Sequence, residues 1–129
     1  MHLPVPEHVE QIATKVMDAA FIVHRTLGPG LLESVYESCL CHELSKAGIA
    51  YQSQIAVPII YDTTKIDGGL RLDVFVESQL ICELKAVEKI LPIHEAQLLT
   101  YLKLANVRLG LILNFNVSLL KDGIKRIVR

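Results

Sequence analysis

The stretch that most constrains this chain is Arg71 to Lys85, RLDVFVESQLICELK. Apolar residues alternate with polar ones on both sides of a short polar segment, the pattern of a tight β-hairpin. With the turn centred on Ser78, Leu72 faces Leu84, Val74 faces Cys82 and Val76 faces Leu80, so one side of the hairpin is wholly apolar. The other side pairs Arg71 with Lys85, Asp73 with Glu83 and Phe75 with Ile81. A slip of one residue would exchange the two faces, so the sorting itself argues for this register.

That register sets Asp73 and Glu83 directly opposite each other. Like charges at cross-strand distance are destabilising unless a cation or a proton compensates them. Convergent oxygen ligands suit a hard divalent ion such as Mg²⁺. Lys85, two residues after Glu83, points to the same face. Two acids and a lysine on one sheet face can hold a metal and handle a phosphate. The same residues also read as an ordinary solvated hairpin face, because this spacing of an Asp, a Glu and a Lys recurs by chance. The hairpin alone leaves both readings open.

The chain has 129 residues, enough for one domain with a real core and too few for two, so residues 1–129 are read as a single domain. Hydrophobic residues make up 51% and charged residues 21%, a globular rather than disordered balance. The longest apolar runs are far short of a membrane span. Met1 to Pro6 shows no basic region followed by an apolar core, so no secretory leader is expected. Cys39, Cys41 and Cys82 are odd in number and form no CxxC spacing. They read as small apolar residues in a reducing compartment, which makes the expected location cytoplasmic. The net charge of −1 does not exclude nucleic acid as a partner, but any attraction to phosphate must be local. The densest basic run is Lys121, Lys125, Arg126 and Arg129. It is either a phosphate-tracking surface or, more simply, a solvated end of the domain.

Glu7 to about Leu27 reads as a helix, with Val9, Ile12, Val16, Ala19, Val23 and Leu27 on one stripe and Gly28-Pro29-Gly30 as its stop. His24 and Arg25 suit its C-terminal dipole. A second helix is expected from Leu31 to Ala47, with Leu32, Val35, Cys39, Leu40 and Leu44 buried. Glu33 and Tyr36 border that stripe. Glu33 reaches toward a site or simply serves the helix dipole. Tyr36 is either part of that site or a half-buried packing residue with its hydroxyl in water. Tyr51 to Tyr61 reads as a strand, and Pro58 within it points to a sheet edge. Asp62 to Gly69 is expected to be a loop or turn before the hairpin. A helix from Ile93 to about Asn106 sets His94, Gln97 and Tyr101 on one face beside an apolar stripe of Leu98, Leu102 and Ala105. Arg108 to Phe115 reads as a buried strand, then come a short element and a last strand over Ile124 to Val128.

At this point several motifs add up to a resemblance. Gly30-Leu31-Leu32-Glu33-Ser34-Val35-Tyr36 matches the motif that names the GxxExxY protein family. Leu72-Asp73, Glu83-Leu84-Lys85-Ala86, His94-Glu95-Ala96-Gln97 with Tyr101-Leu102, Asn114-Phe115 and Lys121 to Arg126 follow in the family's order. The likeness runs from about Gly28 to Val128. The family resembles a small branch of the PD-(D/E)XK nuclease superfamily. That implies an α/β, restriction-endonuclease-like fold, a mixed central sheet flanked by helices in the order α-α-β-β-β-α-β-β. Asp73 matches the first acid, Glu83 the second and Lys85 the lysine; Leu72 stands where the motif's proline would be. Glu33 resembles the helix acid of exonuclease-like branches, and Gln97 and Tyr101 the motif on the following helix.

The implied chemistry is metal-dependent phosphodiester hydrolysis of DNA, with RNA second. Asp73 and Glu83, with the Leu84 carbonyl, would hold Mg²⁺ or Mn²⁺, and Glu33 would reach that ion through water or help hold another. Lys85 would orient a water or neutralise the phosphate, and Gln97 and Tyr101 would bind phosphate or position Lys85. His94 is left outside this set. Two other functions compete, a binding or scaffold protein that keeps the fold without turnover and a phosphate-ester enzyme that is not a nuclease. The small size and near-neutral charge point to a homo-oligomer or a protein partner for gripping substrate.

Overall fold

The computed structural model describes residues 3–129; Met1 and His2, where the stretch searched for a leader begins, lie outside the described residues. Helices α1 (Glu7–Leu27) and α2 (Glu33–Lys46) come first, then strands β1 (Tyr51–Tyr61), β2 (Thr64–Val76) and β3 (Leu80–Lys85). Helix α3 (Pro92–Ala105), strand β4 (Leu109–Asn114), a short 3-10 turn (Leu120–Gly123) and strand β5 (Ile124–Val128) complete the chain. The five strands form one mixed sheet in chain order. Only β3 and β4 run parallel, and α3 makes the crossover that a parallel pair requires. The order and architecture are those expected of a restriction-endonuclease-like α/β fold. Among the described residues, no helix is long and apolar enough to cross a membrane.

The sheet separates two apolar layers. On one face, Val16, Ala20, Leu40 and Leu44 of α1 and α2 pack with Val74, Cys82, Leu84 and Leu111. On the other, Leu98 and Leu102 of α3 pack with Leu72, Ile81 and Ile112. Every residue of β4 is buried, which is why its sequence is a continuous apolar run rather than an alternation. Gly110 on β4 admits α3, since a Cβ there would lie 2.9 Å from Leu98 Cδ2.

The second helix departs from the expected stripe. It begins at Glu33 rather than Leu31, and Leu32 is 74% exposed. Tyr36, Leu40 and Leu44 form its buried side, and Val35 lies outside it. The cause is Tyr36, which is fully buried rather than half-buried. Its ring stacks on Phe115 with centroids 4.6 Å apart. Its hydroxyl donates to the Gly28 carbonyl at 2.6 Å and accepts the Leu31 N–H at 3.1 Å, which holds residues 28–31 out of the helix. Tyr36→Phe should therefore cost about 1–2 kcal/mol in denaturant unfolding, because it strands both backbone groups. An unchanged midpoint would show that water replaces the hydroxyl freely.

Pro58 does lie on an edge strand, at a register shift between Val57 and Ile59. The expected loop over Asp62 to Gly69 is mostly strand: only Asp62 and Thr63 turn, and β2 begins at Thr64. Polar, glycine-bearing KIDGG carries no alternation to reveal this, but Gly69 has a packing role, because a Cβ there would come within 2.7 Å of Ile59 Cδ1.

The hairpin turns where expected. Val74 pairs with Cys82, Phe75 with Ile81 and Val76 with Leu80. Glu77 and Ser78 both have positive φ, and Gln79 N–H donates to the Val76 carbonyl at 2.9 Å. Glu77 is pinned there twice, donating its N–H to Ala50 O and accepting the Ala50 N–H on Oε1, each at 3.0 Å. The β2–β3 ladder stops at Val74, so Leu72 does not face Leu84 as the alternation predicts. Leu72 belongs to the α3 layer and Val74 to the α1–α2 layer, so β2 changes its facing at Asp73. On β1, Tyr51 packs in the α1–α2 layer and Ile55 in the α3 layer, and between them Gln54 has φ of 50°. One left-handed residue resets which side of a strand is apolar, and a period-two reading cannot register it.

Candidate active site

The bend in β2 brings its acid to the end of β3. Asp73 and Glu83 are not a simple cross-strand pair but a reciprocal lock. The Asp73 N–H donates to Glu83 Oε2 at 3.0 Å, and the Leu84 N–H donates to Asp73 Oδ2 at 2.9 Å. Each carboxylate thus replaces a ladder bond that the bend removed, and both are fixed without a side-chain cation. Glu83 is 6% exposed. Burial, with the Asp73 carboxylate next, pushes its carboxyl up to about 8, while the Asp73 N–H and Lys85 act in the opposite direction. No buried side-chain nitrogen or oxygen among the described residues lacks a hydrogen-bond partner.

Other elements converge on this pair. Glu33 stands at the N-terminus of α2 and is exposed as a residue. Partial desolvation raises its carboxyl, the Asp73 and Glu37 carboxylates raise it further, and Lys85 opposes them. Tyr101, half-buried on α3, holds its proton more tightly through burial and through the negative charge of Glu83 and Asp73. The charges of Asp73, Glu83, Lys85 and Glu33 thus act on one another, and Tyr101 feels those of Glu83 and Asp73. Gln97 is exposed on the preceding turn of α3 and takes no part in the bonds that lock the acids.

Two further side chains join the group. Burial raises the Glu37 carboxyl, a bond from Gln54 counters that, and Asp73 raises it again. Gln54 Nε2 donates to Glu37 Oε1 at 2.7 Å and lies 3.5 Å from Asp73 Oδ1. Glu37 was legible, being four residues after Glu33 and so on the same helix face. Gln54 carried no signal, because its position depends on a left-handed backbone.

The remaining polar candidates have structural work. His94 Nδ1 accepts the Leu91 N–H at 3.0 Å and so caps the start of α3. His24 is buried, with Nε2 2.8 Å from the Val117 carbonyl, rather than simply serving a helix dipole. Of the C-terminal basic run, Arg126 grips Glu10 with two bonds of 2.6 and 2.7 Å, Lys125 lies 3.7 Å from Glu95, and Arg129 bonds Val107 O and Asn106. These partners favour the solvated-end reading of that run.

The donors suit a hard divalent ion. They are carboxylate oxygens, and a cation would offset both the burial and the Asp73 charge that push Glu83 up to about 8. Among the described residues, no three of His, Cys, Asp and Glu form a ready-made cage. Two carboxylates with water and substrate oxygens completing the shell is the usual arrangement for Mg²⁺.

A mixed five-stranded sheet in chain order, with α1 and α2 on one face and α3 on the other, is consistent with the α/β fold of PD-(D/E)XK nucleases. A family model of the PD-(D/E)XK nuclease superfamily matches residues 10–127, and the chain belongs to that superfamily. No curated protein and no solved structure gives a significant match.

Proposed function

We propose that this protein is a metal-dependent phosphodiesterase that cleaves nucleic acid, DNA ahead of RNA, in the GxxExxY branch of its superfamily. The observation that carries this reading is the reciprocal lock of Asp73 and Glu83, with Glu83 buried beside the Asp73 carboxylate. Asp73 and Glu83, with the Leu84 carbonyl, would hold Mg²⁺ or Mn²⁺, and Glu33 would approach from α2 through water or a further ion. Such an ion, when bound, acidifies a water and offsets charge on the scissile phosphate. Lys85 places an ammonium on the β3 side of the site, where it meets a phosphate oxygen or orients a water. Tyr101 and Gln97 offer a hydroxyl and an amide from α3 to the same phosphate. The free state of Cys39, Cys41 and Cys82 supports work in the cytoplasm.

The second reading, a nuclease-fold scaffold without turnover, is favoured by the pairing of Lys125 and Arg126, two members of the densest basic run, with Glu95 and Glu10. The same observation supports a dimer or a protein partner that supplies grip on substrate.

Calorimetric titration of Mg²⁺ and Mn²⁺ into wild type and Asp73→Asn tests the site. Wild type should bind, and Asp73→Asn should bind at least about tenfold more weakly. A wild type that takes up neither ion sinks the metal-dependent reading and leaves the scaffold.

A further inference from the structure

Gln54 holds a backbone conformation that its residue type rarely adopts, with φ of 50° inside β1. Glycine or asparagine is the ordinary occupant of that region, and a long side chain is strained there. The strain falls where the sheet changes its facing. Ser53 pairs with Val74 and Ile55 with Leu72, and the ladder skips the two residues that lie between these pairs, Gln54 and Asp73. Glycine would make this bend at lower cost. The Arg71 Nη1 bond of 2.8 Å to the Gln54 carbonyl would survive that change, because it uses only the main chain.

What glycine would not supply is the carboxamide. Nε2 reaches Glu37 Oε1 at 2.7 Å, a strong bond, and Asp73 Oδ1 at 3.5 Å, the outer limit of a weak one. A neutral donor thus stands between carboxylates delivered by α2 and by β2. Asp73 Oδ2 is committed to the Leu84 N–H, so Gln54 faces the other Asp73 oxygen. Strained residues persist where their surroundings hold them, and they gather at functional sites.

We propose that Gln54 is a positioning residue for the acid site, its carboxamide holding the Glu37 and Asp73 carboxylates side by side so that Asp73 Oδ1 is presented outward. The proposal rests on the reading of Asp73 as an ion ligand. Gln54 itself contacts neither ion nor substrate in this role.

Two variants of the whole chain, Gln54→Gly and Gln54→Ala, separate positioning from folding. Both remove the carboxamide, but Gly relieves the backbone strain and Ala keeps it. Mn²⁺ affinity is read by calorimetry and melting temperature is read in chelator. Both variants should bind Mn²⁺ roughly tenfold more weakly than wild type. Their melting temperatures should diverge by about 3–5 °C, with Gln54→Gly at or above wild type. Affinity that follows melting temperature, with Gln54→Gly binding as wild type does, overturns the positioning role. Loss of affinity in Asp73→Asn but not in Gln54→Gly overturns this proposal and leaves the proposed function standing. A wild type that binds no Mn²⁺ overturns the proposed function, and this proposal with it.

Discussion

Glu83→Gln should make the metal-free protein more stable at pH 9 and leave it unchanged at pH 4. Glu83 is pushed from an ordinary 4.5 up to about 8 in the folded protein. Below about pH 4.5 the folded and unfolded chains both carry the proton, and the buried side chain is neutral. Between 4.5 and 8 the unfolded chain releases its proton while the folded one retains it, so stability falls as pH rises. Above about 8 both are ionised and the whole penalty is present, on the order of 5 kcal/mol. The glutamine side chain cannot ionise, and its carbonyl oxygen can still accept the Asp73 N–H. Urea unfolding of both proteins in chelator, at intervals from pH 4 to pH 9, measures the difference. Curves that stay parallel across the range would mean that Glu83 is not the carboxyl whose ionisation is suppressed. Mn²⁺ should act in the opposite sense. At pH 8 it should raise the midpoint of wild type by compensating the ionised pair and do little for Glu83→Gln.

Asp73→Asn should abolish cleavage while the fold survives. The substituted amide oxygen can still accept the Leu84 N–H that Asp73 Oδ2 takes at 2.9 Å, so the lock to β3 is retained. The lost charge also relieves Glu83, Glu33 and Glu37, each of which Asp73 pushes upward. Stability in chelator should therefore hold or rise. Activity has the opposite fate. If the bound ion contributes about 4 kcal/mol of stabilisation to the charge developing on phosphate, its loss slows turnover by about a thousandfold. Lys85→Ala provides the contrast, with cleavage down by about a hundredfold and Mn²⁺ affinity kept within severalfold. The assay is single-turnover cleavage of labelled single- and double-stranded DNA, with RNA alongside. Asp73→Asn that still cuts at the wild-type rate would remove Asp73 from the site and return the hairpin to an ordinary charged face.

Much of this protein is visible along the chain because its elements are locally consistent. The order of helices and strands, the turn around Ser78 and the buried run of β4 all follow from patterns within a dozen residues. Asp73, Glu83 and Lys85 could be singled out because a hairpin brings sequence neighbours together. Tyr36 was harder. Its burial comes from Phe115, far along the chain, and its hydroxyl is satisfied by residues 28 and 31 in a turn that no helical periodicity describes.

The sequence by itself determined the order of the elements and the hairpin that carries Asp73 and Glu83, since apolar periodicity and turn chemistry act locally and survive in a one-dimensional reading, and its motifs pointed by resemblance to the fold class. The tertiary structure decided how those acids meet. A left-handed Gln54 and the change of facing at Asp73 end the β2–β3 ladder early, and the carboxylates of Asp73 and Glu83 then take the backbone N–H groups that the ladder releases. It also brought Glu33 and Glu37 of α2 alongside them, by stacking Tyr36 on Phe115 at the far end of β4. Such contacts join residues tens of positions apart, and only packing, which is non-local, can select them.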